Sequence, residues 1–114
     1  MADVMTTESV QNTQSTETFV LAIDKEFDAH QVELARVALD SLVEQTHPTV
    51  VLDFSETAFI DSSGIGAIVY LYKRLLKQQR KMAIYNAAGQ PLKLMTMLRV
   101  NQTIKFIDDL TQAV

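Results

Sequence analysis

The chain of 114 residues is predicted to form one α/β domain, a mostly parallel sheet of four to five strands with helices packed against it. The main observation is an alternation of short apolar runs with segments of helical periodicity. Its order is strand, helix, strand, helix, strand, helix, strand, with room for an edge strand in front. One run, Val50 to Leu52, has the β-branched and aliphatic composition of a strand buried on both faces. The length suits a single modest core.

The N-terminal segment, residues 1–17, is rich in Thr, Ser, Gln, Asn and Glu. Such a composition predicts a flexible segment. We therefore place the folded domain at residues 18–114. Its first strand is predicted at Thr18 to Ile23, and residues 24–28 are predicted to be a charged loop.

The first helix is predicted from Ala29 to Thr46 and ends before Pro48, because the residue preceding a proline is disfavoured in a helix. His30 and His47, the only histidines, lie at opposite ends of this segment and are interpreted as surface residues. The predicted buried face of the helix consists of Val32, Ala35, Ala38, Leu39, Leu42 and Val43.

The second helix is predicted to begin after Asp61 and to run to about Gln79. Five residues at helical spacing are expected to face the sheet: Ile65, Ile68, Val69, Tyr72 and Leu76. Basic residues cluster at its end and are interpreted as a solvated helix terminus that complements the dipole: Lys73, Arg74, Lys77, Arg80 and Lys81.

The last third of the chain predicts a strand from Met82 to Tyr85 and a helix with Pro91 at its start. This helix has more apolar residues than one face can hold, so some should be exposed. A final strand is predicted from Thr103 to Ile107, and residues 108–114 are predicted to be a polar tail or a short helix.

Composition excludes several classes of function. The net charge of −4 argues against a nucleic-acid partner, since phosphate backbones require a clustered basic face. Without cysteine there is no disulfide framework and no thiolate site for a metal or a nucleophile. The longest apolar stretch, Ile65 to Tyr72, is too short for a membrane span, and no signal peptide is visible. We expect a cytoplasmic protein with no membrane insertion, no cofactor and no metal.

A polar cluster, Asp61-Ser62-Ser63-Gly64, lies where a loop meets the start of the second helix. Asp61 and Ser62 are typical N-cap residues, because their oxygens can accept hydrogen bonds from the free N–H groups of the first turn. The alternative to pure capping is a modification site. Two serines leave one hydroxyl beyond the cap, and a phosphate there would face the positive end of the helix dipole.

The segments Asp53-Phe54-Ser55 and Phe59-Ile60-Asp61-Ser62-Ser63-Gly64-Ile65-Gly66 closely resemble the signature of bacterial anti-sigma-factor antagonists, the single-domain STAS proteins. The resemblance extends more weakly from about Phe19 to Phe106. It implies the STAS fold, with a weak edge strand near Val10 to Gln14 in the N-terminal segment as the alternative to a flexible one. It also implies phosphorylation of the serine that follows the aspartate. That serine is Ser62 here, with Ser63 as the alternative. Asp28 matches the family's aspartate near the phosphoserine and the partner, although it could equally be a simple N-cap.

Catalysis is not expected. The cluster is neither a G-x-S-x-G elbow nor a phosphate-binding P-loop, and no histidine is placed to activate a serine. The resemblance implies a partner-switch protein. Unphosphorylated, it would sequester an anti-sigma-factor-type serine kinase with an ATP-binding domain, phosphorylation of Ser62 would release it, and a cognate serine phosphatase would reset it. The alternative is a non-catalytic STAS subunit of a transport complex, such as a lipid ABC transporter.

The partner is expected to dock on the start of the second helix and on the helix face that points away from the sheet. Ala67, Tyr70 and Arg74 should lie on that face, with Leu71 at its margin. An exposed tyrosine beside an arginine is typical of a binding hot spot. The complete predicted surface is Asp28, Asp61, Ser62, Ser63, Gly64, Ala67, Tyr70, Leu71 and Arg74.

Overall fold

The computed structural model describes residues 18–113, so the N-terminal segment and its expected strand at 10–14 lie outside the described residues. The helices are α1 (Ala29–Glu44), α2 (Ser62–Lys77) and α3 (Gly89–Met97), with 3-10 helices at Val100–Gln102 and Leu110–Ala113. The strands are β1 (Thr18–Ala22), β2 (Glu26–Phe27), β3 (Thr49–Asp53), β4 (Phe59–Ile60), β5 (Lys81–Tyr85) and β6 (Lys105–Ile107).

The main sheet has four parallel strands in the order β1-β3-β5-β6. This confirms the predicted α/β class and the parallel sheet. The expectation of a plain loop at residues 24–28 is wrong, because Glu26 and Phe27 pair in parallel with Phe59 and Ile60 as a separate two-stranded sheet. The small sheet lies directly before the starts of α1 and α2 in the chain, and it therefore positions both helices.

Side chains of the central strands alternate between the two faces of the sheet and contribute to a hydrophobic cluster on each face. Val50, Leu52, Met82 and Ile84 point to the side that the helices cover. Val51, Ala83 and Ile107 point to the other side and pack with Ala113 of the final 3-10 helix. Val50, Val51 and Leu52 have no solvent exposure, which confirms the prediction that this strand is buried on both faces.

Helix α1 ends at Glu44, two residues before the predicted end. Ala38 was expected on the buried face, but it is exposed. Val32, Ala35 and Leu39 are half-buried, and the fully buried residues are Leu42 and Val43. The opposite side of the helix presents two large apolar side chains to solvent, Leu34 at 64 % exposure and Val37 at 79 %.

Helix α2 is rotated relative to the predicted orientation. Its buried residues are Gly64, Ile68, Leu71 and Leu75. The expected core residue Leu76 is exposed, and Ile65, Val69 and Tyr72 are only half-buried. The predicted place of Leu71 at the margin of an exposed face is therefore wrong, since its side chain is 1 % exposed and belongs to the core.

At the far end of the sheet, the sequence-based interpretations of Arg80 and His47 as solvated surface residues are wrong. Arg80 is not part of a solvated helix end: it is buried, and it donates to the carbonyl oxygens of His47 (Nε, 2.7 Å) and Val43 (Nη1, 3.3 Å). His47 is half-buried, with its ring centroid 5.1 Å from that of Phe19. Both side chains lie where the end of α1 meets the sheet, which explains their burial.

The C-terminal third matches its prediction with shifted boundaries. Helix α3 starts at Gly89 rather than Pro91, because Leu92 N donates to Ala88 O and completes an earlier turn. Its surplus apolar residues are exposed as expected, for example Met97. Strand β6 is shorter than predicted, and the chain after it forms the 3-10 helix instead of a polar tail.

Candidate functional site

One carboxylate joins the starts of two helices. Asp61 is the N-cap of α2, and its Oδ1 accepts a hydrogen bond from Gly64 N at 3.0 Å. Its Oδ2 accepts a hydrogen bond, at 3.2 Å, from the backbone N–H of Ala29, the first residue of α1. The sequence predicted the cap but not the second bond. The consequence is that a charge change beside Asp61 acts on both helix N-termini at once.

Asp28 lies at the same place in the fold. It is the N-cap of α1, and its Oδ1 accepts from Gln31 N at 3.0 Å. Because the next residue, Ala29, is bound to Asp61, the two capping carboxylates belong to neighbouring helix ends. The capping interpretation of Asp28 is confirmed, and its contact with a partner stays a prediction.

Strand β4, which leads into Asp61, is held on two sides. Strand β2 pairs with it on one side. From α3, the side-chain amide of Gln90 brackets Ile60: its Oε1 accepts from Ile60 N and its Nε2 donates to Ile60 O, both at 2.9 Å. Gln90 thus satisfies a strand edge as another strand would. Nothing in the local sequence marked it, because only the tertiary fold brings it to β4.

Gly64 is the point where α2 comes closest to the small sheet. A Cβ at this position would collide with Phe27 O and would lie 2.6 Å from Ile60 Cγ1. Gly64 was predicted to contact the partner, but it is buried. Its place in the site is therefore to let the helix approach β2 and β4, and its contact with the partner stays a prediction.

Ser62 and Ser63 are the first two residues of α2, and both are exposed. The capping hydrogen bond comes from Asp61, so neither hydroxyl is required for it. Each could therefore carry a phosphate without loss of the cap. Phe59, three residues before Ser62, is 43 % exposed. Its exposure adds an aromatic side chain to the surface around the serines.

Only part of the predicted docking face of α2 is exposed to solvent. Tyr70 is 53 % exposed; its hydroxyl accepts a hydrogen bond from Arg74, whose guanidinium carbon lies 5.5 Å from the ring centroid. Ala67 is half-buried in a groove between α1 and α2, with a volume of about 330 Å³, that Tyr70 also lines. Tyr70 and Arg74 therefore remain accessible, Ala67 is at the groove wall, and Leu71 is excluded.

Within residues 18–113 there is no group of three or more His, Asp or Glu side chains placed to hold a metal ion. In the same range, no helix is both long enough and apolar enough to cross a membrane.

A family model described as the STAS domain matches residues 9–113. The chain belongs to the STAS domain family. Among solved structures, the anti-sigma factor antagonist SpoIIAA in its unphosphorylated form is 26 % identical, with a TM-score of 0.65 and coverage of 83 % of each chain. The predicted family and fold are confirmed.

Two further structures share the STAS fold at lower identity. The Bacillus cell fate determinant SpoIIAA in its phosphorylated form has 21 % identity and a TM-score of 0.67, with coverage of 87 % of this chain and 90 % of that one. A sulfate transporter family protein from Wolinella succinogenes has 14 % identity and a TM-score of 0.72, with coverage of 85 % and 81 %. Among curated proteins, no match to the chain is found.

Proposed function

We propose that this STAS domain is a partner-switch protein of the anti-sigma-factor-antagonist type, controlled by phosphorylation of Ser62. The observation that carries the proposal is the place of Ser62. It is exposed at the first position of α2, directly after the one carboxylate that holds the starts of α1 and α2. The family and the likeness to SpoIIAA support this assignment.

The chemistry of the switch follows from charge. A phosphate on Ser62 adds about −1.5 to −2 charges, next to Asp61 and near Asp28. The helix N-terminus tolerates this charge, because its dipole and free N–H groups favour anions. A partner that docks over the same helix ends meets three acidic groups instead of two. Coupling of about 1–3 kcal/mol, a usual size for such switches, changes affinity several-fold to about a hundredfold.

The partners follow from the proposal. The unphosphorylated protein binds and sequesters a serine kinase of the anti-sigma-factor type with an ATP-binding domain. Phosphorylation releases that regulator, and a serine phosphatase restores the binding-competent form. The protein itself acts as a substrate and a binding partner rather than as an enzyme.

The test is mass spectrometry of the protein purified from its own host, as wild type and as Ser62→Ala and Ser63→Ala variants. We expect phosphate on the wild type and on Ser63→Ala, and none on Ser62→Ala. Both substitutions leave the Asp61 cap intact, so each variant folds and controls for the other. Phosphate retained on Ser62→Ala and lost on Ser63→Ala would move the site to Ser63. Its absence from the wild type under all growth conditions would contradict the switch.

The second candidate is a non-catalytic subunit of a transport assembly, since the fold is shared with a sulfate transporter family protein. The serines would then only begin the helix, and no phosphate would be found. Co-purification separates the two functions, because a kinase supports the switch and a membrane permease supports the subunit.

A further inference from the structure

The charges of this chain are strongly segregated. From Ser62 to Ile107 there is no Asp or Glu, although the chain has 14 acidic residues in total. The same stretch holds eight of the ten basic residues: Lys73, Arg74, Lys77, Arg80, Lys81, Lys93, Arg99 and Lys105. A net charge of −4 therefore describes neither part of the molecule. The part with α1 is acidic, and the part from α2 to β6 is basic.

The basic part has a cleft on the flank of α2 that faces away from α1. Tyr72 and Lys73 of α2 line it together with Leu98 and Arg99 from the end of α3, and its volume is about 210 Å³. A second hollow of about 330 Å³ continues it along the same side. We call the surface formed by six residues of these two hollows the basic cleft: Tyr72, Lys73, Leu76, Leu98, Arg99 and Lys105.

The basic cleft is apolar as well as charged. Leu76 is 55 % and Leu98 is 53 % exposed. Contiguous exposed apolar groups with a charged rim are typical of protein interaction sites. The charges call for an acidic occupant that also carries apolar side chains.

The outward side of α1 has that composition. Leu34 and Val37 are its most exposed apolar residues. At 100° per residue around α1, three carboxylates lie within about 60° of Val37: Glu33, Asp40 and Glu44. These three side chains therefore lie on the same side of the helix as Val37. We call this surface the acidic face: Glu33, Leu34, Val37, Asp40 and Glu44. Only Glu33 has an ion pair among the described residues, at 3.1 Å to Arg36.

We propose that the acidic face of one copy docks in the basic cleft of a second copy. An unrelated acidic partner would fill the cleft but leave Leu34 and Val37 in solvent, whereas contacts between copies use both kinds of surface. The two surfaces lie on different flanks of the α1–α2 pair and cannot meet within one chain. The contact is therefore head-to-tail, and each added copy leaves one free acidic face and one free basic cleft.

The first experiment is sedimentation velocity of the full chain over a range of protein and salt concentrations. We expect species heavier than the 12.8 kDa chain at high protein concentration and low salt. Added salt should dissociate them, because exposed charges are screened beyond about 10 Å at 0.1 M ionic strength. A chain that stays monomeric at every concentration and salt level would overturn the proposal.

The second experiment uses Val37→Lys on the acidic face and Lys73→Glu in the basic cleft. Both positions are exposed and both new residues are good helix formers, so the fold is kept. We expect each variant to weaken self-association by about tenfold or more, since each places like charges in contact. The control is Lys25→Glu, which makes the same charge change as Lys73→Glu in a loop outside both surfaces.

Mixing the two variants decides the geometry. Val37→Lys retains an intact cleft and Lys73→Glu an intact acidic face, so we expect a species of twice the chain mass and none heavier. A mixture that stays monomeric would overturn the head-to-tail contact, and so would the formation of long assemblies. The contact does not use Ser62, so Ser62→Ala should self-associate as the wild type does. Failure of this proposal leaves the phosphorylation switch untouched.

Discussion

At the scale of single residues, Gly64 is a position with no space for a larger side chain. We predict that Gly64→Ala destabilises the domain by about 1–3 kcal/mol or more, the usual cost of overpacking. The added methyl would collide with Phe27 O, a backbone atom in a paired strand, which cannot move as a flexible side chain can. Chemical denaturation followed by circular dichroism measures the change in the free energy of unfolding.

Gly66 provides the matched control on the same helix. Apart from its two chain neighbours and the nearby backbone of its own helix, no atom lies within 4 Å of the position its Cβ would take, so Gly66→Ala meets no obstacle. Removal of a helical glycine should stabilise the domain by about 0.5–1 kcal/mol. If Gly64→Ala behaved like Gly66→Ala, the close approach of α2 to β2 would not exist in solution.

The residue scale also shows what the sequence could predict at the site. Asp61 and Asp28 were recognised as candidate caps because capping is a local contact over three residues. The bond from Ala29 N to Asp61 and the pairing of Gln90 with Ile60 span 32 and 30 residues. No local pattern reports such contacts, so only the fold reveals that α1 and α3 meet the start of α2.

At the scale of elements, the rotation of α2 has a definite cause. The apolar pattern centred the buried stripe near Ile65, Val69 and Leu76, because a glycine adds nothing to a hydrophobic stripe. The helix instead turns its thinnest side, at Gly64, towards β2 and β4, so Leu71 and Leu75 enter the core. The period was predictable from the sequence, but the orientation depended on a close approach that hydrophobicity does not encode.

The short strands β2 and β4 could not be predicted for a related reason. Two residues are too few for a periodic signal, and each strand exists only through its parallel partner. Strand β3 was predictable because three consecutive residues without exposure leave a clear apolar run.

Helix α2 also carries the prediction for partner binding. We expect Tyr70→Ala to weaken binding of the kinase by more than about 1 kcal/mol in a calorimetric titration. The ring is half-exposed and is held by Arg74, so it is presented in a fixed position at little cost in entropy. Little of the folding stability should be lost. The control is Leu76→Ala, an equally exposed apolar residue on the other flank. Equal affinities of the two variants would exclude Tyr70 from the interface.

The connection between α1 and β5 depends on Arg80. We predict that Arg80→Leu lowers the free energy of unfolding by about 1–3 kcal/mol, because the carbonyl of His47 loses its buried donor, whereas the carbonyl of Val43 keeps Gln78 Nε2 at 3.0 Å. The reference is Lys77→Leu on exposed α2 surface, which should change stability by less than about 0.5 kcal/mol. Thermal and urea unfolding compare the two. A result within error of the reference would mean that water satisfies the carbonyl of His47.

At the scale of the whole molecule, the fold class was predictable because alternation of strands and helices permits few architectures. The burial of polar side chains was not predictable from the sequence. Arg80 and His47 have charged or polar groups that normally stay in solvent, but Arg80 is buried and His47 is half-buried where the end of α1 meets the sheet. From the burial at His47 we expect the stability of the domain to depend on pH.

His47 is the group expected to cause that sensitivity. Its Nδ1 is buried with no hydrogen-bond partner in the described part of the chain. Burial, and secondly the charge of Arg80, lower the pKa of His47 below the ordinary value of 6.5. The unfolded chain therefore binds a proton at this histidine more readily than the folded domain does. Stability should be independent of this group well above pH 6.5 and should fall as the pH drops through that value.

We therefore expect the wild type to lose more thermal stability than His47→Gln between about pH 7.5 and about pH 5.5. Glutamine is polar but cannot take up a proton in this range, so the variant lacks the penalty. The difference in Tm between the two pH values is the quantity to compare, because loss of the contact with Phe19 alters the absolute Tm of the variant. His30→Gln, a change at an exposed histidine, is the control and should follow the wild type. If His47→Gln had the same pH dependence as the wild type, protonation of the half-buried ring would not limit the stability of the domain in acid.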